Sequence, residues 1–596
     1  MKRQILQSLL ILLGLAGLIV LGLSLGRAAQ GLNPPTAAPT STNTAIPVSP
    51  TPSPIPEAQA ILDDLRVRQA IAHCTDRRAL IRSVYPWLED TKPFEMDSFL
   101  PSNHPFYAGN DPEFQRYPYD PEKGRALLES AGWRLLAGAE YRFNENGDEF
   151  HVTLVSIDSK FKVAWILVFV RQMKDCGLHV DTELSQLFYL GQPHPHEGGD
   201  FELAAYSSSL PTPQFLEWRY ACNNIPTSQS NIAEQNYSGW CNPLVDLAIK
   251  KVNENLQREV HKAAIRVIQL EYARDLPGLP LFQRMDVSAT RMEVLNFKPP
   301  PTSWLVYTWN TADWSIPGKD VIVIGERSEP AGLHPLDDSW VNATVQALIN
   351  GLDYVQQDYD YQPITLKRFP TLENGGATID ESGQLIVTYE FLDGLTWSDG
   401  VPVTRADYQL SYEVLCNPET GGEYLYISQR CEQISSVDFT SDTSYTVTYI
   451  PGYRDPEYFL PPIGRQPAHR ITEDGRRLAD VPAKDWTWLE VVNQNPIGIG
   501  PYVLQSWEYG KQMTFTANPY YFGKPPATPT IIIRFIPQDE IESYLLRGAI
   551  DIADSTSFWT GALSPALLQA QSDGKIRLYF TPNTIYEQLD FRLTVR

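Results

Sequence analysis

One stretch of the sequence gathers side chains that are suited to bind a metal ion. His194, His196, Glu197 and Asp200 follow one another closely in the string GQPHPHEGGD. Imidazole nitrogens and carboxylate oxygens can together ligate a transition ion. The prolines and glycines between these residues are typical of a surface loop, which is more often a solvated turn than a metal site. We therefore predict no metal site and no cofactor.

The sequence contains no assembled catalytic motif. It has no HExxH, no CxxC and no phosphate-binding GxxxxGK[ST] loop. Gly22, Ser24 and Gly26 have the GxSxG spacing of a nucleophile elbow, but they lie in an apolar segment, whereas that motif needs a strand-to-helix turn. The carboxylates are dispersed, so no pair of them stands out. We predict that the protein is not an enzyme.

The net charge of the chain is −23 at pH 7. This charge excludes nucleic acid as a partner, because phosphate groups require a basic face. It favours solubility and says little about the fold.

Residues 5–25 form an apolar run that follows Lys2 and Arg3. The run exceeds the core of a cleavable signal, usually about 7–15 residues, and can cross the roughly 30 Å apolar layer of a membrane. We expect an uncleaved anchor with its basic end inside. A signal cleaved after Ala28 is the alternative. Residues 31–60, rich in proline, threonine and serine, are expected to form an extended tether.

Six cysteines are spread along the chain: Cys74, Cys176, Cys222, Cys241, Cys416 and Cys431. In an exported protein, an even number of cysteines favours disulfides. Loop closure favours pairing Cys222 with Cys241 and Cys416 with Cys431, which leaves Cys74 and Cys176 on two predicted helices. Six buried thiols are the alternative.

Residues 385–415 spell out a strand, a turn and a helix. Alternating apolar residues predict a half-buried strand at 385–391, and Ser-Asp-Gly at 398–400 supplies a turn. Thr404 and Asp407 have the spacing of a capping box. We expect Trp397 to have a structural role.

Similar signals recur elsewhere in the chain. Asp120 and Asn242 are each followed by proline, which predicts the start of a helix, and Gly132 predicts a helix end. The alternation of strands and helices predicts an α/β fold.

The string W-S-D-G-x-P-x-T-x-x-D at 397–407 also resembles the signature of family 5 extracellular solute-binding proteins, which deliver peptides, nickel chelates or oligosaccharides to ABC transporters. GIGPY at 498–502, NPYY at 518–521 and GAID at 548–551 resemble further markers of that family, in its order. VIVIGERSEPAGLHP at 321–335 is similar to its first strand and following loop.

Motifs in residues 61–285 resemble the second half of the same family, which normally follows the markers just described. LRVRQA at 65–70 is similar to a helix of that second half. YEQLDF at 586–591 resembles the strand that normally runs directly into this helix. We therefore predict one circularly permuted protein, with a new connection at 315–320, rather than two tandem truncated ones.

The resemblance implies an α/β, two-lobed periplasmic-binding-protein type II fold of family 5 (cluster C), with an extra subdomain. The expected divisions are an anchor or signal segment at 1–30, a tether at 31–60, the second ligand-binding lobe at 61–285, the hinge return and start of the first lobe at 286–355, the extra subdomain at 356–490, and the remainder of the first lobe at 491–596.

The resemblance also implies that two segments line a cleft between the lobes. One is the loop after the first strand, and the other is YSSSLPTPQF at 206–215, which resembles the family's W-x-x-D-x-x-x-P element. The expected ligand-binding residues are Tyr206, Ser207, Ser208, Ser209, Asp338, Ser339, Trp340, Val341 and Tyr307. Tyr307 and its neighbours Trp304 and Trp309 fit core packing equally well.

Ser209 stands where peptide-binding members have an aspartate that holds the ligand's α-ammonium group. A neutral hydroxyl does not replace a charge-assisted bond in a closed cleft. This departure favours an oligosaccharide or another neutral solute, unless a different acid such as Asp338 supplies the charge. Tyr206 offers an aromatic face for a sugar, a peptide bond or a cation.

The function implied by the resemblance is that of the solute-binding component of an ABC importer. Such a protein captures an oligopeptide, an oligosaccharide or a similar solute between two closing lobes and delivers it to permease subunits. The expected location is extracytoplasmic, at the cell surface or in the periplasm, with residues 5–25 as a tether to the cytoplasmic membrane. A ligand sensor or scaffold of the same fold, with a signalling partner in the membrane, is the alternative.

Overall fold

The computed structural model describes residues 61–186, 201–209, 213–226, 234–299, 307–334, 340–357, 359–420, 431–554, 558 and 563–594. The predicted anchor at 5–25, the tether and the histidine loop at 194–200 lie outside these ranges. Within the described ranges, no helix has the length and apolar character needed to cross a membrane.

The described α-helices are α1 (Leu65–Cys74), α2 (Arg77–Val84), α3 (Pro121–Ser130), α4 (Lys160–Asp175), α5 (Pro213–Tyr220), α6 (Pro243–Glu254), α7 (Arg258–Asp275), α8 (Trp340–Ile349), α9 (Arg405–Leu415), α10 (Ala483–Trp486), α11 (Glu490–Asn493), α12 (Gln538–Leu546) and α13 (Pro565–Ser572). Short 3-10 helices lie at Lys92–Phe94, Cys222–Asn224, Tyr307–Asp313, Pro418–Thr420 and Leu478–Asp480.

The described strands are β1 (Arg134–Leu135), β2 (Arg142–Phe143), β3 (His151–Ile157), β4 (His179–Ser185), β5 (Leu203–Ser209), β6 (Gly278–Arg291), β7 (Val321–Glu326), β8 (Tyr354–Gln357), β9 (Asp360–Pro363), β10 (Ala377–Ile379), β11 (Leu385–Glu390), β12 (Ile434–Ser441), β13 (Ser444–Tyr449), β14 (Tyr502–Glu508), β15 (Gln512–Ala517), β16 (Thr530–Phe535), β17 (Ile552–Ala553) and β18 (Ile576–Phe591).

Side-chain caps fix where several helices begin and end. Asp120 accepts a hydrogen bond from the backbone at the start of α3, and Asn242 does the same for α6. Thr404 and Asp407 form the capping box that opens α9. Gly132, with a φ of +94° that favours glycine, lies just beyond α3. These predicted helix boundaries are confirmed.

A ten-stranded mixed sheet is the framework of the molecule, with the order β14-β15-β16-β7-β17-β6-β18-β5-β3-β4. We call β14, β15, β16, β7 and β17 the first lobe, and β5, β3 and β4 the second lobe. The long antiparallel strands β6 and β18 lie between them. The predicted α/β fold is confirmed.

The two long strands change register in the middle of their pairing. Met285 of β6 lies opposite Pro582 of β18, but Gln283 lies opposite Tyr586. Residues 583–585 therefore form a bulge opposite the single residue Arg284. A bulge interrupts the ladder and lets a strand bend. Because β6 pairs with β17 on one side of the bulge and β18 pairs with β5 on the other, the bulge lies between the two lobes, and we call this part of the sheet the hinge.

Strand direction brings the two lobes' sheet edges face to face at this hinge. β17 pairs first with Thr290 and then with Ala289 of β6, so it runs towards the bulge. β5 begins opposite Phe591 and ends opposite Ile585, so it also runs towards the bulge. Strands β7 and β16 are parallel to β17, and β3 and β4 are parallel to β5. The carboxyl ends of the parallel strands of both lobes therefore face each other.

A separate four-stranded antiparallel sheet, β10-β11-β13-β12, packs against α9. Its core is strongly aromatic, and Phe391 stacks on Tyr408 with ring centroids 4.8 Å apart. Trp397 is buried in the same core, which confirms its structural assignment. Leu256, between α6 and α7, also packs into this core and links it to the helices beside the second lobe.

The two cysteine pairs that loop closure favours are confirmed, and the remaining two cysteines form a third disulfide. The three disulfides join Cys74 to Cys176, Cys222 to Cys241, and Cys416 to Cys431. The first ties the end of α1 to the end of α4 across a sequence separation of 102 residues, whereas the others close short loops. A long closed loop restricts the unfolded chain more than a short one does.

Candidate functional site

The candidate site is the space at the hinge, where the carboxyl ends of parallel strands from both lobes meet. Ligands of open α/β sheets bind outside the carboxyl ends of the strands. Here β5 ends on one side of the bulge, while β7 and β17 end on the other side. Polar side chains from all of these strands, and from the two hinge strands, approach this space.

Three charged side chains form a cluster on the second-lobe side of the hinge. Lys162 Nζ of α4 lies 2.5 Å from Glu587 Oε2 of β18, and Arg284 Nε of β6 lies 2.8 Å from Glu587 Oε1. Ser207 Oγ of β5 donates to Glu587 over 2.9 Å and accepts from Arg284 over 2.8 Å. The cluster therefore joins α4, β5, β6 and β18, and it carries a net charge of one positive unit.

Burial and charge act against each other in this cluster. Burial alone would raise the pKa of Glu587, but Lys162 and Arg284 outweigh that effect and lower the pKa below its usual value. Burial lowers the pKa of Lys162, and Glu587 only partly offsets this change. Glu587 is therefore held as a carboxylate. Removing one partner of such a buried pair costs about 3–5 kcal/mol, because the remaining charge is left uncompensated.

The Arg284 side chain lies at the border between this buried cluster and solvent. It is 31% exposed, and its guanidinium lies 4.8 Å from the ring centroid of Phe161. Its position opposite the bulge places a positive charge at the hinge itself. Movement of one lobe relative to the other would therefore change the surroundings of this charge.

The first lobe brings carboxylates to the opposite side of the space. Glu326 is the last residue of β7 and Asp554 follows β17, and both side chains are fully buried. Tyr307 Oη donates to Glu326 Oε2 over 3.1 Å. Burial, together with the nearby Glu326 and Asp554 carboxylates, raises the pKa of Tyr307 well above its usual value. The carboxylates of Glu326 and Asp554 and the phenol of Tyr307 thus lie close to one another.

Asp286 lies on the hinge strand β6, two residues beyond Arg284. Its carboxylate accepts a hydrogen bond from Asn583 Nδ2 of the bulge over 2.7 Å. Burial raises the pKa of Asp286 to about 6, with a further contribution from Asp554. Residues two apart on a strand point to the same face and lie about 7 Å apart. Arg284 and Asp286 therefore present opposite charges along one face of the hinge.

The structure places the predicted segment Tyr206 to Ser209 at the carboxyl end of β5, beside the hinge. Ser207 joins the charged cluster, Ser208 is buried, and Ser209 is exposed opposite Ile585. Tyr206 lies on the face of the strand opposite to Ser207, and the Arg219 guanidinium is 5.2 Å from the Tyr206 ring centroid. The segment reaches the cleft edge, while its side chains alternate between two faces. Their role in ligand binding stays a prediction.

The other predicted ligand residues are placed differently. Tyr307 has no exposed surface, so it occupies the core position that the sequence left open as the alternative. Val341 is buried within α8. Asp338, Ser339, Trp304 and the side chain of Trp340 lie outside the described residues. Trp309 Nε1 donates to the Lys298 carbonyl over 3.2 Å.

Sequence reasoning missed the charged residues of the hinge, namely Lys162, Arg284, Asp286 and Glu587. Two of them carried a usable signal, because Arg284 and Glu587 interrupt apolar strands. A charged residue is almost never fully buried without a partner. That rule predicts some partner for each charge but does not identify it, because the partners come from distant parts of the chain.

The sequence model of bacterial extracellular solute-binding proteins, family 5 Middle, matches residues 27–226 and 380–594. Among curated proteins, the chain is 26% identical over 226 residues to "Protein XP55" of Streptomyces lividans, covering 38% of this chain and 37% of that protein. It is 26% identical over 282 residues to the "Probable D,D-dipeptide-binding periplasmic protein DdpA" of Escherichia coli, covering 44% and 48%. The chain thus spans less than half the length of each of these relatives.

Parts of this chain are also similar to parts of two solved structures. The oligopeptide-binding protein AppA of Bacillus subtilis, in complex with a nonapeptide, has a TM-score of 0.34 and 20% identity, covering 44% of this chain and 46% of that one. NikZ of Campylobacter jejuni, in complex with Ni(L-His), has a TM-score of 0.32 and 24% identity, covering 39% and 43%.

The raised pKa of Asp286 predicts a pH-dependent stability. The pKa rises from 3.8 to about 6 on folding, so the native state binds this proton more tightly than the unfolded state does. The resulting stabilisation is complete below the lower pKa and is lost as the pH rises through the higher one. Asp286→Asn removes the titration. As the pH rises from about 4 to about 7, the unfolding free energy of the variant should therefore increase relative to that of wild type.

Urea unfolding of both proteins across this pH range measures the difference in unfolding free energy. The comparison cancels the titration of other groups, because the two chains share them. A difference that stays constant with pH would contradict the assignment.

Proposed function

This chain belongs to the bacterial extracellular solute-binding proteins of family 5, and we propose that it is the extracytoplasmic solute-binding component of an ABC importer. A solute binds in the space at the hinge and stabilises an arrangement in which the two lobes close on it. The observation that carries this proposal is the opposition of the two sets of carboxyl strand ends across the β6–β18 bulge. The proposal assigns the protein no catalytic step.

A peptide-like solute suits the hinge better than a neutral one. The matched relatives include DdpA, named for D,D-dipeptides, and OppA of Lactococcus lactis, named for oligopeptides. Arg284 and Asp286 offer a positive and a negative group on one face, which complements a solute that carries an amine and a carboxylate. In this proposal Asp286 supplies the acid that Ser209 does not, and it takes the place given to Asp338 in the sequence-based alternative.

The proposed setting follows from the family. The protein acts outside the cytoplasm, residues 5–25 tether it to the cytoplasmic membrane, and its protein partners are the permease subunits of an importer. We propose residues 61–285 as the second ligand-binding lobe and 286–355 as the hinge return and start of the first lobe. Residues 356–490 are proposed as the extra subdomain and 491–596 as the remainder of the first lobe. The contacts of Leu256 support close packing between the extra subdomain and the helices beside the second lobe.

We also propose that the chain is a circular permutation of the family's usual order. Thr594 N donates to the Asp63 carboxylate over 2.8 Å, so the end of β18 lies beside the start of α1. The parallel pairing of β7 with β16 supports the expected neighbourhood of the first-lobe strands. The chain enters β7 through a tight turn in which Gly318 has a φ of +76°, and this turn fits the proposed new connection.

The peptide proposal predicts which ligand groups matter to Asp286. Calorimetry compares a short peptide with its N-acetylated form, on wild type and on Asp286→Asn. Wild type should bind the free amine more tightly, by about 1.5–3 kcal/mol, the range for a hydrogen bond to a charged group. Asp286→Asn should lose this preference while keeping the affinity for the acetylated peptide.

Asp438→Asn is the matched control, because Asp438 is exposed on β12 and distant in the fold from the hinge strands. Ser209→Asp should strengthen binding of the free amine. If the free and acetylated peptides bind wild type equally well, the assignment to Asp286 is wrong. If no peptide binds but an oligosaccharide does, the neutral-solute alternative is correct.

The permutation proposal predicts that the chain tolerates being rewired to the family's order. The rewired chain begins at Lys319, joins residue 594 to Ile61 through a short glycine-serine linker, and ends at Ile316. It keeps every pairing of the ten-stranded sheet, so it should unfold at a temperature close to that of residues 61–594 in the present order. Loss of the Cys74–Cys176 disulfide or of cooperative unfolding in the rewired chain would contradict the proposal.

A further inference from the structure

We propose that His151, His179 and Asp181 form a transition-metal site on the second lobe, at the end remote from the hinge. The three side chains lie on β3 and β4, the last two strands of the ten-stranded sheet. His151 and His179 are the first residues of their strands, whereas the carboxyl ends of these strands face the cleft. The site is therefore separate from the proposed solute site.

Strand pairing brings these ligands together. His151 and His179 are register partners in the parallel pair β3–β4, and Asp181 is two residues beyond His179. Register partners share a face of the sheet, and residues two apart on a strand share a face as well. The three side chains thus project side by side from two hydrogen-bonded strands, which gives the site a rigid base.

The distances suit a metal ion after small adjustments. His151 Nε2 lies 2.9 Å from Asp181 Oδ2, and His179 Nε2 lies 3.5 Å from Asp181 Oδ1. One ligand atom from each of the three residues lies within 4.8 Å of the others. Around a tetrahedral zinc ion with bonds near 2.0–2.1 Å, neighbouring ligand atoms are about 3.3 Å apart. Side-chain rotations alone can close these gaps.

The contact between His179 and Glu149 decides which ring nitrogen of His179 faces Asp181. Its Nδ1 lies 2.7 Å from Glu149 Oε1, a contact that requires Nδ1 to carry a proton and donate it. In a neutral imidazole, Nε2 then has only a lone pair. That lone pair faces the Asp181 carboxylate, which is also an acceptor. A metal ion between them would satisfy both acceptors.

The surroundings resemble the support that metal-binding histidines usually have. Glu149 holds the ring nitrogen of His179 that faces away from the ion, a contact that fixes tautomer and orientation. The Tyr141 ring stacks on His179 at 4.3 Å and 6°. The His179 ring is thus held in the orientation that a metal ligand needs.

Charge and ligand type select the class of ion. Glu149 contacts His179 and Glu202 lies near His151, and both add negative charge, which attracts cations. Two imidazoles and one carboxylate suit borderline ions such as Zn²⁺, Co²⁺, Ni²⁺ or Cu²⁺ better than Mg²⁺ or Ca²⁺, which prefer oxygen ligands. The His151 and Asp181 side chains are 47% and 62% exposed, so water or an added ligand can complete the coordination.

Zinc chloride titrated into the full chain, with a chromogenic chelator as competitor, tests the proposal. Wild type should bind one Zn²⁺ per chain at this site, and Co²⁺ should give the absorption bands of a nitrogen- and oxygen-ligated ion. His179→Ala and the isosteric Asp181→Asn should each remove this binding. Glu149→Gln, which changes only an orienting partner, should weaken it by about 10- to 100-fold.

The matched control is the double variant His194→Ala with His196→Ala, which removes the other histidine pair that could bind zinc. This double variant should still bind one Zn²⁺ at the proposed site. Thermal unfolding adds a second readout, because Zn²⁺ should raise the midpoint of wild type but not that of Asp181→Asn. The proposal is overturned if wild type binds no stoichiometric Zn²⁺, or if binding is lost in the 194/196 double variant and kept in Asp181→Asn.

Discussion

The hydrogen-bonded pairing of β6 with β18 is the constraint on which the rest of the molecule depends. One flank of the ten-stranded sheet is attached through β6 and the other through β18. A slip of one residue in this pairing would turn every side chain to the opposite face. The register therefore has to be specified strongly, and the buried cluster around Glu587 does so, since its carboxylate meets Lys162, Arg284 and Ser207 only in this alignment.

The same charges carry an energetic risk. Replacing a buried ion pair by apolar residues of similar shape is often neutral or stabilising, so the cluster is weak evidence for extra stability. The cluster joins four elements beside the bulge, and this position points to a role in specifying how those elements align. Polar groups that are satisfied in one alignment disfavour others, and a hinge needs two well-defined alignments more than it needs rigidity.

The bulge explains why the hinge and the candidate site coincide. Residues 583–585 have no register partners on β6, although Ile585 pairs with Ser209 of β5, so their rearrangement costs few hydrogen bonds between the two hinge strands. Asn583 nevertheless holds Asp286, and Arg284 lies directly across the bulge. A solute that contacts these side chains thus contacts the proposed hinge itself. It can shift the lobes only by as much as it prefers the closed over the open arrangement.

Local chemistry made part of this structure predictable. The capping box at Thr404, the prolines after Asp120 and Asn242, and the short cysteine loops are each decided by residues close in sequence, and each was predicted correctly. The position of Tyr206 beside the hinge followed from family resemblance. Local signals, however, do not reach across the sheet.

The charged hinge and the metal site depend on partners that are far apart in sequence. Lys162 and Glu587 are 425 residues apart, and Arg284 and Glu587 are 303 apart. His151 and Asp181 are 30 apart on neighbouring strands, and only the β3–β4 register brings them together. In the sequence, the cluster that drew attention was 194–200, where ligand types lie close together along the chain, and it was interpreted as a solvated turn. Proximity in sequence is a poor guide when strand pairing supplies proximity in space.

The central claim is that the two lobes close about the β6–β18 bulge when a solute binds. Spin labels at the exposed positions Thr182 of the second lobe and Lys511 of the first lobe report the distance between opposite ends of the sheet. The account predicts that a bound peptide shifts the distance distribution to shorter values and narrows it. Binding that calorimetry detects, with an unchanged distance distribution, would contradict it.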